Sequence, residues 1–373
     1  MSTNPRIYLD FNATAPLGPR ARAVMAQAMA DSGNPSSIHA EGRRARDHIE
    51  RARDQVAHLV GRPREQVVFT SGGTEGNALG VLGLAAVAEQ RGLPQIVAAA
   101  AVDHPSLRGA VAALVGRGWQ LRPIGVTGAG ALEVGSLAGA GLVAIAAVNH
   151  ELGTIADPGV IAAARGAGAL VHVDAVQAAG KLPLAAIDAD ALVISAHKLG
   201  GPQGAGAVAI AHDDGLPLIE AGHQERGRRP GTENTLGIVG FGAAAADADP
   251  ASWPAVVALG ERLEAGLRAI AGVRIHGAGT PRIGGTINAG FTGARGESIV
   301  IALDLAGVAA STGAACTSGS VQPSPVLLGL GMSPDQAREA VRFSLGRSTT
   351  ADEIDAVLER LPAIVARARA HPA

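Results

Sequence analysis

From about residue 65 to residue 212 the chain alternates short Val, Ile and Ala runs with stretches of helical pattern. This alternation limits the fold more than any other feature. "QVVF" (66–69) leads through "TSGGT" into a helical stretch near 75–91, and "QIVAAA" (95–100) is followed by "HPSLRGAVAALVG". "LVAIAAV" (142–148), a helical stretch near 159–168, "LVHVD" (170–174), "ALVIS" (191–195) and "GAVAIA" (206–211) continue the series. Strands that are apolar along their whole length have both faces buried, so the pattern predicts an α/β fold with a mostly parallel sheet covered by helices.

After about residue 255 the order changes. A helix over "PAVVALGERLEAGLRAIA", strand-like "RIHG" and "GGTINAGF", a helix from about 297, "REAVRFSLG" and a last helix over "TADEIDAVLERLPAIVARARA" predict a smaller α+β unit. A chain of 373 residues exceeds one average core. The expected division is a large domain over 15–255 and a small C-terminal domain over 256–373, with segment 1–14 packing on the latter.

Composition narrows the function classes. Hydrophobic residues make up 47% and aromatic residues 2%, and the formal net charge is −2, so neither a basic stripe nor a stacking platform for nucleic acid is present. The longest apolar run, "SLAGAGLVAIAAV" (136–148), is shorter than the roughly 20 residues a bilayer requires and reads as a buried strand. The start lacks the basic-then-apolar order of a secretory signal, and a single cysteine gives no sign of an oxidising compartment, so the expected location is cytoplasmic.

In open α/β sheets, ligands bind beyond the carboxyl ends of the strands. The first such end carries "TSGGTEGN", where glycines let the backbone approach an anion and a helix N-terminus offers free N–H groups. By itself this is an ordinary strand-to-helix turn. It matches neither the Gly-Lys-Ser/Thr phosphate loop nor a convincing dinucleotide fingerprint. The second end carries Asp103 and His104, and alone His104 is equally a cap or a surface histidine. The third carries Asp174, with Gln177 three residues on; His172 shares its strand face, but a third metal ligand with sensible spacing is missing, so no metal is expected.

The fourth end, "SAHKLGGPQGAGA", carries His197 and Lys198. Of 31 basic residues only Lys181 and Lys198 are lysine, and a guanidinium cannot replace an amine that must lose its proton. A phosphate cradle, a carboxylate, a histidine and a rare lysine at successive strand ends are the components of a pyridoxal phosphate site. There the lysine forms the Schiff base and the aspartate faces the pyridinium nitrogen.

Cys316 is the sole cysteine and stands in "STGAACTSGS". It can form neither an intramolecular disulfide nor a structural zinc site. By residue type it reads as a small buried hydrophobe. Its Ser, Thr and Gly surroundings instead predict a solvated loop, the setting of a nucleophile.

Taken together, "YLDFNATAP", "GNPSSIHAEGR", "FTSGGTEGN", "DHPS", "VNHELGT", "HVDAVQAAGKLP", "SAHKLGGPQGAGA", "QERGRRPGTEN", "STGAACTSGS" and "VRFSLGR" resemble, in order and along nearly the whole chain, the cysteine desulfurases of the NifS/IscS type. These are class V members of the fold-type I pyridoxal phosphate enzymes. The resemblance implies a homodimer that converts L-cysteine to L-alanine. It gives Lys198 as the lysine that binds the cofactor, Asp174 as the pyridinium partner and Gln177 as a donor to the ring oxygen. His104 matches the histidine that stacks on the ring and moves protons. Gly73, Thr74, Ser195 and His197 match phosphate contacts, and Thr232 matches one supplied by the neighbouring subunit. Arg342 matches the arginine that holds the substrate carboxylate.

Cys316 matches the cysteine that accepts sulfur as a persulfide, and its setting is similar to the long-loop group that passes sulfur to other proteins. The acceptor is then an iron–sulfur scaffold or a tRNA-thiolation protein.

His150 departs from the pattern, because the family usually has asparagine there, near the cofactor oxygen and the substrate carboxylate. Altered substrate binding or pH dependence is the expectation. Two alternatives stay open: a related class V lyase or aminotransferase, such as a selenocysteine lyase, and a non-catalytic sulfur-relay protein.

Overall fold

The apolar runs fold as strands because each buries alternate residues in two different cores. In the strands 170–174 and 191–195, Val171, Val173, Leu192 and Ile194 enter one core, while Leu170, Ala191 and Val193 enter the other. A computed structural model describes residues 6–135, 137–212, 217–313 and 322–370. Cys316 lies outside the described residues. The strands are β1 (Ile7–Tyr8), β2 (Val67–Thr70), β3 (Ile96–Ala100), β4 (Gln120–Ile124), β5 (Leu142–Ala146) and β6 (Leu170–Asp174). They continue with β7 (Ala191–Ser195), β8 (Gly206–Ile210), β9 (Val273–His276), β10 (Thr286–Phe291), β11 (Val308–Ala309) and β12 (Ala340–Ser344).

The main sheet has seven strands in the order β2-β8-β7-β6-β5-β3-β4. The run from β7 to β4 is parallel, and β8 pairs antiparallel with both β7 and β2. This is the α/β fold with a mostly parallel sheet that the sequence predicts. The edge strand β4 lacks a counterpart in the expected series. Its sequence, QLRPI, is largely exposed and contains Pro123, a residue that a sheet tolerates at its edge. An edge strand needs no continuous apolar run, so the signal used for the others is absent.

On one face lie the helices 73–90 and 105–115; on the other, helices 19–28, 40–60 and 235–247 pack against one another. A separate antiparallel sheet, β12-β10-β9, supports the helices 253–268, 296–305 and 351–370 through Leu263, Ile299, Leu303, Ile354 and Leu361. β1 pairs parallel with β11, and Asp10 bridges to Ser344, so the N-terminal segment runs alongside strands from the far end of the chain. Among the described residues no helix is long and apolar enough to cross a membrane.

Candidate active site

The carboxyl ends of β2, β3, β6 and β7 open on one cavity of about 560 Å³. Gly73, Thr74, His104, His150, Asp174, Gln177, Ser195, His197, Lys198 and Arg342 all line it, together with Asn12, Asp103 and Glu151. Thr232 is exposed and outside that lining.

The helix 73–90 starts at Gly72, whose φ of 156° suits glycine, and no side chain caps it. A Cβ at Gly206 would sit 2.7 Å from the Gly72 Cα, so the bare backbone is what lets β8 pass beneath this turn. The uncapped N–H groups of the first turn therefore face the cavity rim. Ser195 Oγ is buried there with no hydrogen-bond partner. A buried hydroxyl without a partner is costly, and a bound phosphate oxygen would satisfy both it and the helix N-terminus.

Asp174 ends β6 and is buried. Its Oδ2 accepts from Asn77 Nδ2 at 2.8 Å and its Oδ1 from the Val176 N–H at 3.0 Å. Asn77 spans the strand, since its Oδ1 lies 3.0 Å from His172 Nε2. His172 and Asp174 thus share a face and a partner. Asn77 was not singled out in the sequence, although it stands four residues after Gly73 and so on the same helix face.

Lys198 Nζ donates to the backbone carbonyls of Asn12 at 2.5 Å and Ala13 at 2.7 Å. Burial, reinforced by the nearby Arg342 guanidinium, pushes its amine down to about 8. A fraction of it is therefore unprotonated near neutral pH. Gln177 Nε2 donates to the same Asn12 carbonyl at 3.1 Å.

His104 caps the helix 105–115, with its Nδ1 accepting from the Ser106 N–H at 3.1 Å. That bond fixes the neutral ring's proton on Nε2, and burial lowers its pKa. The His150 ring meets it edge-on at 4.9 Å. Burial first, then His104 and Arg342, hold His150 well below the usual imidazole range, so it is neutral; its Nδ1 is buried without a partner.

Arg342 NH2 donates to Asp10 Oδ1 at 2.8 Å and NH1 to the His150 carbonyl at 3.2 Å, which leaves Nε buried and unpaired. Its fork is thus already half committed.

Sequence reasoning placed Asp103 at a strand end without a role and passed over Glu151; burial pushes Asp103 up to about 7 and raises Glu151, which accepts from Ser324 Oγ at 2.6 Å. Neither residue type at a strand end signals such burial.

The comparisons agree with this geometry. The family model for aminotransferase class-V matches residues 7–357. The chain belongs to the class-V aminotransferase family, in its cysteine desulfurase branch. A cysteine desulfurase from Enterobacter agglomerans is 40% identical, covering 97% of this chain and 93% of that protein. The solved structure of a NifS-like protein superposes with a TM-score of 0.88 at 30% identity, covering 97% of this chain and all of that one. SspA in complex with cysteine gives a TM-score of 0.79 at 26% identity, over 92% of this chain.

Pyridoxal phosphate, the cofactor that the family implies, fits the residues present. The orphaned Ser195 hydroxyl and uncapped helix suit its phosphate, and the Lys198 amine and Asp174 carboxylate line the same cavity.

His172 gives a pH prediction. Burial pushes its pKa from 6.5 down to about 3, so between those values the unfolded chain binds a proton that the folded chain refuses. Its contribution to stability is complete above pH 6.5 and is lost as the pH falls towards 3, at up to about 1.4 kcal/mol per pH unit. Urea midpoints should drop between pH 7.5 and pH 5, and His172→Gln should shrink that drop. Equal drops in parent and variant would refute the assignment.

Proposed function

We propose that this cysteine desulfurase uses pyridoxal phosphate to convert L-cysteine to L-alanine and passes the sulfur to Cys316 as a persulfide. The convergence of Lys198, Asp174, Gln177, His104 and an uncapped helix start on one cavity carries this reading. The structural neighbour SspA was solved in complex with cysteine, which supports the choice of substrate. When bound, the cofactor supplies an electron-withdrawing ring that stabilises negative charge at the substrate α-carbon.

Lys198 holds the cofactor covalently. Gly73, Thr74, Ser195 and His197 hold its phosphate, and Thr232 reaches the site of the neighbouring subunit in a homodimer. Asp174 would set a negative charge against the ring nitrogen, and Gln177 would donate to the ring oxygen. The Lys198 amine, partly unprotonated at neutral pH, accepts the α-proton. His104, which lines the same cavity, would face the cofactor and keeps a proton at Nε2. His150, where relatives of this type usually carry asparagine, offers an N–H from a larger neutral ring. Arg342 grips the substrate carboxylate, beginning with its free Nε.

Cys316, as thiolate, attacks the substrate sulfur. The new S–S bond forms as the substrate C–S bond breaks, its electron pair stays with the carbon skeleton, and a proton at the β-carbon with return of the α-proton from Lys198 completes alanine. The persulfide then passes to an acceptor protein, either an iron–sulfur scaffold or a tRNA-thiolation protein, in the cytoplasm. The separate sheets support a division into a large unit over 15–255 and a smaller one over 256–373 joined by the N-terminal segment.

Alanine and sulfide released from L-cysteine under reducing conditions test the reading. The parent should yield them in equal amounts, and Cys316→Ala should lose both by at least about 100-fold. A fully active Cys316→Ala protein, or a parent that binds the cofactor but makes no alanine, would overturn it.

A further inference from the structure

One of the two lysines has no part in the chemistry above. Lys181 sits one turn beyond Gln177, and its Nζ donates to Gln177 Oε1 at 3.2 Å while lying 5.2 Å from the centre of the Trp253 ring. It lines a second cavity, of about 310 Å³, that meets the first at Lys198. Burial, with Lys198 and the guanidinium groups of Arg347 and Arg342 adding to it, pushes the amine down to about 7. A buried amine here is costly, and where only two of 31 basic positions keep lysine, both reach the same network.

That network is continuous. Lys181 holds the oxygen end of the Gln177 amide, the nitrogen end donates to the Asn12 carbonyl, and this carbonyl also accepts from Lys198. A carbonyl only accepts, so the nitrogen of Gln177 faces Asn12 and the cofactor cavity, and the Lys181 amine fixes the same orientation from the other end. Gln177 is 5% exposed, so without Lys181 its oxygen loses its buried partner. The amide is then held from its nitrogen end alone.

We propose that Lys181 is a positioning residue: it anchors the oxygen end of Gln177 so that the amide presents its N–H groups to the cofactor's ring oxygen. The inference rests on the role of Gln177 proposed above. Arginine is a poor substitute at this site, because its planar fork needs more room against Trp253 than an amine does.

The test is a double-mutant cycle on the full chain, stripped of cofactor and titrated with pyridoxal phosphate, reading both affinity and the visible absorption band of the bound form. Lys181→Met should bind about tenfold more weakly. Gln177→Ala should weaken binding to a similar degree, the double variant should be no weaker than Gln177→Ala, and the band should move equally in all three. Methionine is close to lysine in length and removes a buried charge, so the fold should hold. Should Lys181→Met melt below the assay temperature, Lys181→Gln takes its place and must show the same non-additivity. Losses that add, or a Lys181 variant that matches the parent in affinity and spectrum, would overturn the inference. A parent that fails to take up pyridoxal phosphate would instead overturn the proposed function beneath it.

Discussion

Lys198→Ala should lose turnover of L-cysteine by about 10⁴-fold or more, because one amine both holds the cofactor and accepts the substrate proton. Lys198→Arg should be nearly as inactive. The guanidinium keeps the charge and could still reach the Asn12 and Ala13 carbonyls, yet it cannot lose a proton at any pH the fold survives. The paired outcome matters more than either alone. If arginine restores more than about a tenth of the activity, Lys198 is serving as a charge and the covalent role is wrong. Both variants should fold, since Lys198 borders a cavity on either side, and a thermal melt of each checks this. The visible band of bound cofactor should also be lost or shifted in both.

Arg53→Met should cost about 3–5 kcal/mol of stability, the largest effect expected of any single change away from the cavity. Arg53 and Glu225 form a two-pronged ion pair at 2.7 Å for both contacts, with side chains 5% and 2% exposed. The same groups tie down β2: Arg53 donates to the Val67 carbonyl at 2.8 Å, and Glu225 accepts from the Phe69 N–H at 2.8 Å. The guanidinium also covers the Phe69 ring at 4.8 Å. Removing Arg53 strands a buried carboxylate and the Val67 carbonyl in an apolar setting. The pair also bears on function, because Glu225 and Arg226 have φ of 47° and 58°, a left-handed conformation that side-chain anchoring must offset. This strained turn opens the loop that carries Thr232. Urea unfolding of Arg53→Met, Glu225→Gln and the double variant would decide the matter. The double variant should recover much of the loss, and strictly additive losses would show that the pair is not a unit.

Much of the main sheet was legible in the sequence because it rests on short-range signals. Strands buried on both faces must be apolar at every position, and β6 and β7 coincide with the runs "LVHVD" and "ALVIS". The edge strand β4 escaped because half of it faces water. Cys316 was legible as chemistry through its isolation and its neighbours, whereas its place relative to the cavity lies outside the described residues.

The site divides in the same way. Residue types at strand ends named Lys198, Asp174, Gln177 and His104 as a set, since those positions follow from where each apolar run stops. Their partners did not follow. Asn12 reaches Lys198 and Gln177 across more than 160 residues, and Asp10 meets Arg342 across 332. Which imidazole nitrogen of His104 keeps the proton depends on a helix cap, and the neutrality of His150 depends on burial beside another imidazole and a guanidinium.

The sequence alone determined the alternation of strands and helices, the glycine turns and the chemistry available at the strand ends, because burial periodicity and turn geometry act within a few residues. Only the tertiary structure decided the strand order β2-β8-β7-β6-β5-β3-β4, the pairing of β1 with β11, and the network that joins Lys181 to Lys198. Those depend on which surfaces exclude water together once the chain has folded back on itself, and sequence spacing carries no measure of that.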